Sequence, residues 1–196
     1  MGKCLFMRKG EVHTTPLALP SGYTRLAYIQ SSGTQYVNTG FKPDQNTRLV
    51  VSYYATAEGF IAGSETGWKS KSFDIHTKLV AYNASSSNFT NVLNTKIAAD
   101  FNKNVFSDDA GRSATFTSAT FTSGLPLFLF ASNRAGTATE AFHGRIYTCQ
   151  IYNNDILARK FIPCINTSGA VGLYDLVGKQ FYGNAGTGVF VGSEVA

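Results

Sequence analysis

Two carboxyl groups held a fixed distance apart are the minimal machinery of glycoside hydrolysis, about 5–5.5 Å for retaining and about 6.5–9.5 Å for inverting chemistry. On a β-strand, side chains sharing a face recur at every second residue, so a strand-borne pair reads acid-x-acid or acid-x-x-x-acid. The twelve acidic residues of this chain contain no such pair. Carboxylates from separate strands would have to converge instead, and Glu65 and Asp74 are the acids best placed to line one face. No G-x-S-x-G elbow supplies an activated serine. His13, His76 and His143 have no local catalytic partner.

Metal and phosphate chemistry are tested in the same way. Asp74-Ile-His76 puts a carboxylate and an imidazole on one strand face, but a third ligand is lacking, and a hydrogen-bonded pair is the plainer reading. Calcium takes six to eight oxygens, and Asp108-Asp109 is the one acidic doublet, read here as part of a hairpin turn closed by Gly111. Gly183-Asn-Ala-Gly-Thr-Gly188 lacks the Lys-Ser/Thr of a phosphate loop and reads as a β-turn. No cofactor and no resident metal are expected. Cys4, Cys149 and Cys164 show no C-x-x-C spacing. Cys149 reads as a small buried hydrophobe, and a Cys149–Cys164 bridge between neighbouring strands is the less favoured alternative.

Elements able to position these residues follow from composition and period. Fifteen Phe, ten Tyr and nineteen Gly in 196 residues, with only 15% charged, favour pleated, half-buried surfaces joined by tight turns. Thr47–Thr56 and Gly144–Tyr152 alternate apolar and polar residues, the pattern of strands with one buried face. Leu125–Ala131 is continuously apolar, which predicts a central strand buried on both sides. Strands are further expected near 24–29, 34–38, 59–64, 72–76, 78–83, 96–101, 104–107, 113–121, 160–166, 170–175 and 186–191, with a turn or so of helix near 154–160. Such a series fits two stacked sheets. The net charge of +5 is spread along the chain, unlike the concentrated basic stripe of nucleic-acid binders. No apolar run reaches the ~18 residues of a membrane span. Neither nucleic-acid binding nor membrane insertion is expected.

The segments Leu19-Pro-Ser-Gly-Tyr-Thr-Arg-Leu26, Tyr28-Ile-Gln-Ser-Ser-Gly-Thr-Gln-Tyr-Val-Asn-Thr-Gly40, Phe142-His-Gly-Arg-Ile-Tyr-Thr-Cys-Gln-Ile-Tyr152, Phe161-Ile-Pro-Cys-Ile-Asn166, Gly169-Ala-Val-Gly-Leu-Tyr-Asp-Leu176 and Phe181-Tyr-Gly-Asn-Ala-Gly-Thr-Gly-Val-Phe190 carry a resemblance. Together they resemble the LamG-like (concanavalin A-like) jelly-roll domain of bacteriophage virion proteins and of phage-derived genes in gut bacteria. The resemblance spans roughly residues 17 to 192. It implies an all-β, two-sheet antiparallel sandwich, with the 183–188 segment in its last hairpin. It further implies a virion setting rather than a particular activity.

Residues 1–16 read as an attachment arm and 17–196 as the jelly roll. The arm joins an apolar patch (Leu5, Phe6, Met7) to three basic residues (Lys3, Arg8, Lys9), suited to docking on a neighbouring protomer or another virion protein. Trp68, the one tryptophan, lies in the polar run Gly63-Ser-Glu-Thr-Gly-Trp-Lys-Ser-Lys71. Its ring suits a sugar platform, a subunit interface or a structural anchor. Tyr82, Asn83 and Asn88 are candidates for the same rim. The expected function is non-enzymatic: a capsid auxiliary, head-fibre or tail protein, homo-oligomeric, that displays a lectin-like sandwich to cell-surface or mucus glycans. The alternative is a bacterial carbohydrate-active enzyme or its binding module.

Overall fold

Strict alternation over Thr47–Ala55 buries every second side chain and leaves Arg48, Val50, Ser52 and Tyr54 facing outward. That face-by-face division builds the whole molecule. The computed structural model describes residues 18–195. The arm residues Lys3, Leu5, Phe6, Met7, Arg8 and Lys9, with Cys4 and His13, lie outside the described residues.

The described chain is all-β. Its strands are β1 (Thr24–Ser32), β2 (Val37–Asn38), β3 (Thr47–Ala55), β4 (Phe60–Glu65), β5 (Ser72–His76) and β6 (Leu79–Asn83). There follow β7 (Ser85–Asn88), β8 (Lys96–Asn102), β9 (Val105–Asp108), β10 (Ser113–Thr115), β11 (Phe128–Leu129) and β12 (Ser132–Arg134). The chain ends with β13 (Thr137–Thr139), β14 (His143–Asn153), β15 (Ile156–Ile165), β16 (Val171–Asp175), β17 (Gln180–Tyr182) and β18 (Val191–Glu194).

The larger sheet runs β10-β9-β8-β3-β14-β1-β15-β16-β17, with β18 added on β1. The smaller runs β13-β12-β4-β5-β6-β7, with β11 and β2 attached through β4. Pairing is antiparallel except between β12 and β4. Inner side chains of both sheets, among them Leu49, Val51, Tyr53, Ile75, Val80, Phe101 and Ile146, merge into one apolar core. Such a pair of sheets around a shared core is the expected jelly-roll-like sandwich.

Local chemistry explains where the expectations needed correction. The 154–160 stretch is not helical. Asn154 and Asp155 both take positive φ (50° and 63°), the geometry of a two-residue hairpin turn, and β15 starts directly after them. Leu127–Ala131 is buried as expected, yet only Phe128 and Leu129 pair as a strand. Phe130 sits at φ 68° and turns the chain, so β11 runs antiparallel to β4 whereas β12 runs parallel to it. The last strand is 191–194 rather than 186–191. It pairs with β1, not with β17, so 183–188 is a connecting loop and not the tip of a hairpin. Asn184 braces that loop, accepting from Gly186 N–H and donating to the Thr187 and Gly188 carbonyls.

Candidate functional site

The outer face of the smaller sheet is built from short polar strands. On β5, Phe73 and Ile75 point into the core, which leaves Ser72, Asp74 and His76 on the opposite face. Gly63 of β4 pairs with Asp74 on one side and with Ser132 on the other. A Cβ at Gly63 would collide with Asp74 Oδ1 and Ser132 Oγ. Glycine is required here so that these two groups can meet, and Ser132 Oγ donates to Asp74 Oδ1 at 2.8 Å.

Glu65, two residues further along β4, is 1% exposed. Its Oε1 accepts from Arg134 Nε at 2.6 Å, and its Oε2 accepts from Lys69 N–H at 2.6 Å. The second contact ties down the 66–71 loop, which is also closed by paired hydrogen bonds between Thr66 and Ser70. Lys69 and Lys71 take positive φ there, and the loop carries Trp68 outward at 59% exposure. Arg134 lies 4.6 Å from the Trp68 ring centroid and Lys69 Nζ lies 5.2 Å from it. A buried carboxylate therefore fixes a guanidinium, and the guanidinium fixes an exposed indole. Cation–π contacts of this kind contribute about 0.5–1 kcal/mol at exposed sites. Their main effect here is to hold one ring orientation.

Glu65 and Asp74 do converge from separate strands on one face. Burial pushes the Asp74 carboxyl well above the ordinary carboxylate range, and the nearby Glu65 charge adds to the effect. A raised acid beside a second carboxylate has the electrostatics of a general acid. Access is what it lacks: each of the two residues is only 1% exposed. Their oxygens are engaged by Ser132, Arg134 and the Lys69 amide rather than presented to a ligand.

Other candidates fall in different places. Tyr82 is 2% exposed and packs against Phe101, Phe116 and Phe121, so it presents no ring on the Trp68 rim. Its hydroxyl donates to the Ala119 carbonyl, and it floors a separate hollow of about 300 Å³ beside Gln45, Asn46, Lys103 and Asn104. Asn83 pairs with Ser72 at the base of the Trp68 loop. Asn88 pairs with Leu79, at the far end of the same strands.

Asp74 and His76 share a face without bonding to each other. His76 Nδ1 accepts from Lys78 N–H at 3.2 Å, and its Nε2 lies 3.5 Å from Glu140 Oε2. Burial holds its pKa down at about 4, with the Lys78 charge adding to the shift. Among the described residues no group of three potential metal ligands forms. Asp108 caps the turn, its Oδ1 accepting from Ala110 and Arg112 N–H, whereas Asp109 Oδ1 reaches across to accept from Ala98 N–H of β8. Cys149 and Cys164 are both free and buried, opposite Phe161 and Gly172 respectively. Burial raises the Cys164 thiol to about 11 and the Cys149 thiol higher still, so neither is a thiolate at neutral pH.

Ser132, Arg134 and Glu140 complete this corner and were not singled out from sequence. The one signal was Ser132-Asn-Arg134 itself, whose alternation puts Ser132 and Arg134 on the same side. No protein-family model matches the chain, and no curated protein matches it significantly.

Proposed function

We propose that this protein is a non-enzymatic surface-binding module whose sandwich offers Trp68 to a sugar ring or host-surface group. One observation carries the reading: the most exposed aromatic of the described chain is also one of the most carefully held. Trp68 is 59% exposed, yet Arg134, clamped by buried Glu65, fixes it from the sheet. An indole left in water and pre-oriented in this way favours stacking at little ordering cost. The burial of Glu65 and Asp74 supports binding without hydrolysis, because neither carboxyl can reach a glycosidic oxygen.

The setting proposed is a bacteriophage particle, as a capsid auxiliary, head-fibre or tail component. The resemblance of the six quoted segments supports it, and residues 1–16 would supply the attachment to other virion proteins or to a second protomer. Two measurements test the proposal. Labelled protein should bind host cells or mucus glycans, and Trp68→Ala should weaken that binding at least roughly tenfold while leaving the melting temperature unchanged. Antibody against the protein should decorate virions in electron micrographs. Release of reducing sugar from a polysaccharide would refute the non-enzymatic reading, and undecorated particles would refute the setting.

A further inference from the structure

The outer face of the larger sheet carries a second arrangement, on the other sheet from the Trp68 corner. Strand pairing places four residues in one row across it: Gln30 of β1 opposite Arg145 of β14, Arg145 opposite Tyr54 of β3, and Tyr54 opposite Lys96 of β8. Tyr28 and Tyr147 lie on the same face, edge to face at 5.6 Å. Arg145 sits between two rings, 4.5 Å from the Tyr28 centroid and 5.3 Å from that of Tyr54, and its Nε donates to Gln30 Oε1 at 2.8 Å. Lys96 Nζ stands 4.3 Å over Tyr147.

These cations are held without being neutralised. Among the described residues neither Arg145 nor Lys96 has an ion-pair partner. Of the neighbouring acids, Asp100 is paired with Arg48 at 2.6 Å, and Asp109 is held at the Ala98 amide on the β8 edge rather than in an ion pair with Lys96. With Nε committed to Gln30, the Arg145 guanidinium keeps its two terminal NH2 groups side by side, the fork that matches a planar carboxylate. Lys96 is two strands away from Arg145, about 10 Å between backbones. The tyrosine hydroxyl bonds of the described residues belong to Tyr53, Tyr82 and Tyr152, so the phenols of Tyr28, Tyr54 and Tyr147 remain open to a ligand.

We infer that this face binds a carboxylate-bearing polysaccharide, with Arg145 forking one uronate-type carboxylate and Lys96 attracting a second along the row. Charge complementarity selects the anion, and open phenols around fixed cations suit a hydroxyl-rich chain. A single-stranded nucleic acid fits less well. It needs a positively charged groove that tracks successive phosphates, and this row holds two cations, Arg145 and Lys96.

Affinity electrophoresis of the full chain in gels containing polygalacturonate, its methyl ester, dextran sulfate or single-stranded DNA tests this. Polygalacturonate should retard the protein, and raising salt should release it. The methyl ester should not retard it, since the ring skeleton is the same and the charge is gone. Arg145→Gln and the exposed Lys96→Gln should each weaken binding by about tenfold, whereas Lys42→Gln, which removes an exposed loop cation outside the row, should leave it unchanged. If Arg145→Gln fails to fold, Lys96→Gln alone decides. Equal retardation by the methyl ester, stronger retardation by dextran sulfate or DNA, or full binding by a folded Lys96→Gln would each overturn the inference.

Discussion

Arg112 joins the two sheets, and its replacement by methionine is the sharpest test of how this sandwich is held. Its Nε donates to Asp108 Oδ2, its Nη1 to the Thr77 carbonyl and its Nη2 to Tyr53 Oη, each at 2.7 Å. Asp108 and Tyr53 belong to the larger sheet, whereas Thr77 follows β5 of the smaller. The Arg112 side chain is 8% exposed and that of Asp108 0%. Breaking a buried pair by removing one member costs about 3–5 kcal/mol, and an orphaned carbonyl adds about 1–3 kcal/mol. Asp108 keeps the Ala110 and Arg112 amides, which puts the first cost at its lower end. The expected loss for Arg112→Met is therefore about 4 kcal/mol. For a chain of this size that lowers Tm by about 8–16 °C. Urea titration followed by circular dichroism reads the loss, and a double-mutant cycle with Asp108→Asn should return a coupling of about 1–3 kcal/mol. A loss below about 1 kcal/mol, or strictly additive effects, would refute the account of Arg112 as the link between sheets.

Two further predictions concern pH. His76 titrates near 4 in the fold against an ordinary 6.5, so between those values the unfolded chain takes up a proton that the folded chain refuses. Its contribution is complete above about pH 6.5 and is lost as the pH falls towards 4, by roughly 2–3 kcal/mol allowing for partial solvation. His76→Gln should flatten that slope in Tm measured from pH 7.5 to 4.5, and parallel curves would contradict it. Asp74 acts in the opposite sense. Its raised pKa means that the fold holds a proton the unfolded chain gives up, so stability falls as pH rises above the unfolded value. Asp74→Asn should be about 1–2 kcal/mol more stable than the parent at pH 8, with the gain vanishing in acid. An unchanged or lowered Tm at pH 8 would count against it.

Much of the framework was legible because period two is a local signal. The alternation of 47–56 and 144–152 became β3 and β14, adjacent strands of the larger sheet, and 72–76 became β5 with the expected bounds. Strands of three or four polar residues were not legible. Ser85–Asn88, Ser132–Arg134 and Thr137–Thr139 carry no apolar residue larger than alanine, and their pairing is decided by the neighbouring strand rather than by their own composition. The Leu125–Ala131 run was misjudged because burial and strand pairing parted company at Phe130. Trp68 stood out as a lone aromatic among polar residues. Its partner Arg134 did not, because the contact arises only from the parallel pairing of β12 with β4.

The placement of β1 fixes the order in which this protein can be completed. Three of its neighbours, β14, β15 and β18, come from residue 143 onward. Leu26 of β1 lies opposite Glu194 of β18, far downstream in the chain. On the ribosome β1 therefore emerges with its partners still unmade, and the larger sheet cannot close around it until β18 has left the exit tunnel. Such distant pairing makes folding slow. During that wait the apolar side of β1, with Leu26 and Ile29, is uncovered, and this is the interval in which a holding chaperone would have most to bind.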